Sequence, residues 1–237
     1  MSGWKAKRFW KEVQVVPAQG GYSVQLDGRP VKTPAKTLLV VPSADFAQAI
    51  AAEWAAQEGE VNPQTMPFTR SANAALDKVA PQFAEVADMI AAYGGTDLLC
   101  YRATAPQELI MRQAQAWDPL LDWAAAEFGA RLQVGHGVMH VAQDRAALQP
   151  LYAQVHAMTP YQLTGFHDLV GISGSLIIGL AVAQGHIDAG QGWSLSRIDE
   201  TWQAEQWGRD DEAEELAEVK RQEFLHAKRV FDLALLS

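Results

Sequence analysis

Hydrophobic and polar positions alternate in short runs through the first part of this chain. RFWKEVQVV (8–16), YSVQLDG (22–28) and TLLVV (37–41) are rich in β-branched and aromatic residues, and PAQGG and DGRPVKTP punctuate them. The pattern predicts strands joined by tight turns, with Gly20–Gly21 and Asp27–Gly28 supplying the turn residues. After Val41 the period lengthens. Ser43 is placed to cap a helix, Asp45 suits its first turn, and Phe46, Ile50 and Trp54 recur every four positions as a helical stripe. NPQTMPFT (62–69) breaks that helix. A further helix is predicted over 83–93, stopped by Gly94 and Gly95, and TDLLCYR (96–102) reads as one more strand.

Beyond Ala103 the pattern is helical. PQELIMRQAQAWDPLLDWAAAEFG (106–129) is long, with Pro106 at its start, Gly129 past its end, and Pro119 expected to kink or split it. DRAALQPLYAQVHAM (144–158) predicts another helix. LVGISGSLIIGLAVAQG (169–185) reads as one buried helix, and two acidic helices follow. Strands first and helices afterwards make the fold class α+β. The expected division is a β-rich N-terminal domain over 1–103 and an all-helical C-terminal domain over 104–237.

Composition narrows the partners. The 237 residues carry 28 acids against 19 lysines and arginines, a net charge of −9. That sign repels a phosphate backbone and an anionic membrane surface, so neither nucleic acid nor membrane insertion is expected. The single cysteine, Cys100, lies in an apolar run and is expected to pack as a small hydrophobe. The start, MSGWKAKRFWKEV, is basic without an apolar stretch, so no secretory signal is expected there. Of eight tryptophans, Trp54, Trp117, Trp123 and Trp202 lie on helical stripes and belong to the core, while Trp4 and Trp10 are expected to be partly exposed.

The motifs of chemistry are missing where they are looked for. In 169–185, Ser175 and Leu176 follow Gly174 where a phosphate loop needs lysine. The glycine spacing is wrong for a dinucleotide turn, and no serine is flanked as in a nucleophile elbow. The plainer reading is a buried helix in which Gly171, Ser175 and Gly179, four apart, let neighbouring helices approach. His136 and His140 sit in GHGVMH, which is not helical and supplies no third ligand, so no metal is expected.

LSRIDETWQAEQWGRDDEAEE (195–215) concentrates acids and indoles. On a helix turning about 100° per residue, Leu195, Ile198 and Trp202 share one face, while Glu200, Gln203 and Trp207 lie nearly opposite, with Asp199 between. Glu200 and Glu205 then point about 140° apart, too far to flank one scissile bond as a carboxylate pair. The stretch predicts a helix with an apolar side and a second side carrying a carboxylate, an amide and an indole. Two readings of Trp207 stay open: packing on the next helix, or a protein-binding hot spot.

Several pieces, in order, resemble one family: RFWKEV, LDGRPVKTP, AAEWAAQ, MPFTRSANAALD, TDLLCYRA, WDPLLDWA and DETWQAEQWG. They are similar to those of the assembly chaperones that hold the alpha subunit of the F-type ATP synthase before it joins beta. The resemblance implies a non-enzymatic protein without cofactor, a monomer when free. It implies action in the bacterial cytoplasm, or in the mitochondrial matrix for eukaryotic relatives. It also implies that Trp54 is a packing residue, and that Glu200, with Glu205 close in register, is used functionally ahead of the Trp207–Gly208 pair. The expected partner face is Glu200, Gln203, Trp207 and Glu205, with a surface of the β-rich domain equally open, and no catalytic residue or metal ligand is expected. The rival expectations are a small-molecule enzyme using Glu200 as acid or base, and a permanent subunit of some complex.

Overall fold

The computed structural model describes residues 7–235. Strands β1 (Val13–Ala18), β2 (Gly21–Leu26), β3 (Arg29–Pro30) and β4 (Val40–Val41) form an antiparallel sheet with β2 in the middle. β2 pairs β1 along its whole length, Val13 facing Leu26 and Ala18 facing Gly21, while β3 and β4 share its other edge. Asp27 and Gly28 both take positive φ, as a two-residue hairpin turn with the right twist requires. Gly21 is fixed by space: a Cβ there falls 2.1 Å from the Val41 carbonyl oxygen.

β1 begins later than its apolar pattern suggested. The Asp27 carboxylate accepts the backbone N–H groups of Lys11 (3.0 Å) and Glu12 (2.8 Å), so these donors serve a turn and not a ladder. Trp10, expected to be partly exposed, is 3% exposed, packed edge-on against Trp54 at 5.1 Å between ring centroids. Trp4 lies outside the described residues.

The helices are α1 (Ala44–Ala55), α2 (Pro67–Ala74), α3 (Phe83–Ala91), α4 (Gln107–Phe128), α5 (Arg145–His156), α6 (Pro160–Ser173), α7 (Leu176–Ala183), α8 (Ala189–Ser196), α9 (Ile198–Trp207) and α10 (Asp211–Leu233). β5 (Tyr101–Arg102) and β6 (Gly135–His136) make a short parallel pair. Strands lead and helices follow, the α+β arrangement expected. Ser43 caps α1 as predicted, accepting the Phe46 N–H at 3.1 Å, and Phe46 and Ile50 are fully buried.

By contacts the chain falls into two compact units. Among the described residues, one holds 7–83, Thr159–Gly165 and 229–235; the other holds Ala84–Met158 and Phe166–Lys228. The core of the first is built from Val24, Leu39, Val41, Phe46, Ile50, Phe68 and Val230. In the second, every residue of α7 is buried, with Trp117, Leu151, Phe166 and Phe224 also fully buried.

Further expectations change. Leu98–Cys100 is a 3-10 turn, leaving only Tyr101–Arg102 as strand, because the Asp97 carboxylate takes the Leu99 N–H at 3.0 Å and starts a turn. The helix expected over 169–185 is broken at Gly174, whose φ of 71° ends α6; Ser175 then caps α7, accepting the Ile178 N–H. The stripe of Gly171, Ser175 and Gly179 therefore does not form. Gly171 is exposed, with open space where a Cβ would be, while a Cβ on Gly179 would meet Val170 Cγ2 at 2.7 Å and Phe166 Cε2 at 3.2 Å. α4 runs unbroken through Pro119 and ends at Gly129 with φ 70°.

Asp97 is the most buried acid of the second unit. It accepts the Ser175 hydroxyl at 2.7 Å and the Ile177 N–H at 3.0 Å, tying its own turn to the start of α7. Burial pushes its carboxyl up to about 6, against the downward pull of these hydrogen bonds. Cys100 is buried as expected, and burial pushes its thiol up to about 12. In the first unit Glu53 plays a similar part, accepting the Phe68 N–H (2.6 Å), the Thr69 N–H (2.8 Å) and the Thr69 hydroxyl (2.7 Å), and so capping α2 from α1.

Candidate functional site

α9 carries the acids and indoles singled out in the sequence, and α4 holds it. Arg112 of α4 forms a fork with Glu205, Nη1 to Oε2 at 2.7 Å and Nη2 to Oε1 at 2.8 Å. These hydrogen bonds hold the Glu205 carboxyl below its usual range and raise the guanidinium. Gln113 donates to Asp199 at 2.6 Å and accepts the Ala103 N–H at 2.8 Å. The Trp117 indole donates to the Leu195 carbonyl at 2.8 Å, and the Arg112 guanidinium lies 5.8 Å from the Trp202 ring centroid. No residue of α9 is fully buried. Gly208, with φ 94°, ends the helix, and Asp210 caps the start of α10 by accepting the Glu212 N–H.

Between the start of α4 and α9 lies an open groove of about 450 Å³. Pro106 and Leu109 line it from α4 and its entry; Asp199, Trp202, Gln203 and Trp207 line it from α9. Trp207 stands 81% exposed at this site. Packing against the next helix, one of its two open readings, is thereby excluded. Trp202, expected in the core, is half-buried and shares the groove with Trp207, because α9 rests on α4 through polar side chains and leaves that flank open.

The predicted residues thus separate. Gln203 and Trp207 line the groove. Glu200 is exposed and paired with Arg197 at 2.7 Å, outside the groove lining, and Glu205 is turned to Arg112. The two carboxylates serve different arginines and form no dyad. Trp54 belongs to the first unit, half-buried against Trp10. Among the described residues, no group of three or more His, Cys, Asp or Glu is arranged to hold a metal; His140 instead lies 3.2 Å from the Tyr101 hydroxyl.

Arg112, Gln113 and Arg197 join the site without being among the residues expected from the sequence. The Arg197–Glu200 pair was readable as an i, i+3 spacing. Arg112 and Glu205 are 93 positions apart, and no local pattern joins them. A second hollow of about 500 Å³, lined by Ala91, Ala92, Leu148 and Tyr152 with Asp88 and Arg145, contains none of the predicted residues.

Residues 7–125 match the family described as ATP12 chaperone protein. The chain is 51% identical to the Atp12 of Paracoccus denitrificans, whose crystal structure superposes with a TM-score of 0.95 over 98% of this chain and 100% of that one. An aspartate-to-lysine mutant of that protein gives a TM-score of 0.96 at 50% identity, over 99% and 100% of the two chains. The Atu1473 protein of Agrobacterium tumefaciens is 40% identical, with a TM-score of 0.90 over 98% of this chain and 86% of that one. The mitochondrial protein atp12 of Schizosaccharomyces pombe is 24% identical over 89% of this chain and 76% of its own length. The family match ends within α4, so α9 is reached through the solved structures.

Proposed function

The chain belongs to the family of ATP12 chaperone proteins, and on that premise we propose that it binds the unassembled alpha subunit of the F-type ATP synthase, covers the surface that alpha later offers to beta, and leaves as beta arrives. A lone ring subunit exposes a large apolar interface that self-associates unless covered. A chaperone of this kind acts by binding, without bond-making. Its place of action is the bacterial cytoplasm, with the mitochondrial matrix for eukaryotic relatives. Among the described residues no helix is long and apolar enough to cross a membrane.

The observation that carries this reading is Trp207, an 81% exposed indole beside a groove with an apolar wall at Leu109 and Pro106. A large aromatic held in water, next to amides that can pair with a backbone, is the makeup of a protein-binding hot spot. Gln203 and Trp207 contact the client, and Glu200 stands at the edge to meet a cation by exchanging its exposed bond to Arg197. The enzymatic alternative loses its residue, since Glu200 is paired with Arg197 outside the groove lining and Glu205 is taken by Arg112.

The test is to heat isolated alpha subunit with this protein and follow light scattering and co-elution. The protein suppresses aggregation at near-equal molar ratio, while an unrelated acidic protein does not. Trp207→Ala and Glu200→Lys lose protection with an unchanged far-UV spectrum. Full protection by both variants overturns the assignment to this face.

A further inference from the structure

We propose that Arg112 and Gln113 of α4 are positioning residues for the client-facing helix α9, and that Glu205 and Asp199 are the handles by which they hold it. This rests on the reading of α9 as the client face and divides its acids by role: Glu205 braces the helix inward, leaving the client contact to Glu200, Gln203 and Trp207.

Three observations converge. First, α9 contains no fully buried residue, only the half-buried Ile198, Trp202 and Ala204 among its apolar residues, so apolar burial alone fixes its place on α4 loosely. Its register is left to polar contacts, which are directional where burial is not. Second, those contacts are doubled. Both oxygens of Glu205 are taken by one guanidinium fork at 2.7 and 2.8 Å, the arrangement with the tightest geometric demand available to a carboxylate. Asp199, six positions earlier, is held by Gln113 at 2.6 Å. One brace thus acts near each end of the helix. Third, the braces are themselves anchored. Gln113 is 1% exposed, and its amide oxygen is fixed by the Ala103 N–H, so its donor end cannot swing. Arg112 also lies over the Trp202 ring, so a single side chain sets both Glu205 and one wall of the groove. The downward shift of the Glu205 carboxyl agrees with its commitment to Arg112.

A charge swap decides the matter. Arg112→Glu and Glu205→Arg each break the fork, and the double variant rebuilds it with the charges exchanged. Amide hydrogen exchange over 198–207 is read first, with co-elution of isolated alpha subunit as the second measurement. Each single variant exchanges faster over 198–207 and binds about fivefold more weakly, the scale of one well-placed surface ion pair. The double variant returns exchange and binding most of the way. A double variant that binds no better than the singles places Glu205 against the client and overturns the proposal, as do single variants that match the wild type in both measurements. If wild-type protein ignores alpha subunit, the functional reading falls separately. The exchange data still judge the brace: faster exchange in each single variant, restored in the double, upholds it, and unchanged exchange ends it.

Discussion

Asp97 is the residue whose chemistry reaches furthest. Its side chain satisfies donors from two segments at once, so the carboxyl stays buried although burial penalises its charge. The carboxyl rises from an ordinary 3.8 to about 6, so between these values the folded chain keeps a proton that the unfolded chain sheds. Stability from this group is therefore present below pH 4 and is lost as pH rises through about 6, by up to about 3 kcal/mol. Asp97→Asn lacks that slope and turns one acceptor into a donor facing other donors. It is less stable than the wild type at pH 4, and the gap narrows toward pH 7, as urea midpoints across that range will show. An unchanging gap removes the buried proton from the account. None of this was legible from TDLLCYR, where Asp97 looked like one polar letter at the edge of a strand; its partner, Ser175, lies 78 positions on.

At the scale of elements, local signals were read and distant ones were not. The Ser43 cap and the stripe of Phe46 and Ile50 depend on neighbours a few positions away, and both are present. The break at Gly174 was hidden because apolar residues continue on both sides, and a glycine inside an apolar run reads equally as a close approach or as a helix end. The pieces shared with the family are tied to one another by side chains. Asp27 of LDGRPVKTP holds the backbone of RFWKEV; Glu53 of AAEWAAQ caps the helix of MPFTRSANAALD, whose Asp77 accepts the Thr33 hydroxyl at 2.7 Å; Asp118 of WDPLLDWA pairs with Arg102 of TDLLCYRA at 2.8 Å. Each joins another piece, so their common order reflects joints of the fold more than the client face. Two glycines give opposite predictions at this scale. Gly179→Ala drives a methyl into Val170 and costs about 1–3 kcal/mol. Gly171→Ala meets open space inside a helix and stabilises by about 0.5–1 kcal/mol. Thermal unfolding of the pair checks both, and equal effects contradict the packing described here.

For the whole molecule, the net charge of −9 bears on how it meets a client. The acids are unevenly spread: Asp210, Asp211, Glu212, Glu214, Glu215 and Glu218 follow α9 closely and are exposed. Such a field speeds encounter with a basic surface and is screened as the Debye length shrinks from about 10 Å at 0.1 M salt to about 3 Å at 1 M. Association with alpha subunit therefore slows as salt rises over that range, while dissociation changes less, because docking at Trp207 is apolar. Stopped-flow rates at several salt concentrations separate the two; a salt-independent on-rate denies the acids a steering role. The charge sign and the helical second half were plain in the sequence. The groove was not, since it needs α4 and α9 side by side, and only their contact brings Leu109 near Trp207.

Trp207 also makes the molecule its own optical gauge. The other described indoles are buried or half-buried, so a water-borne quencher such as iodide finds this ring first, once the repulsion from nearby acids is masked by salt. Docking of a client over the ring moves its emission to shorter wavelengths and hides it from the quencher, giving a titration curve without any attached dye.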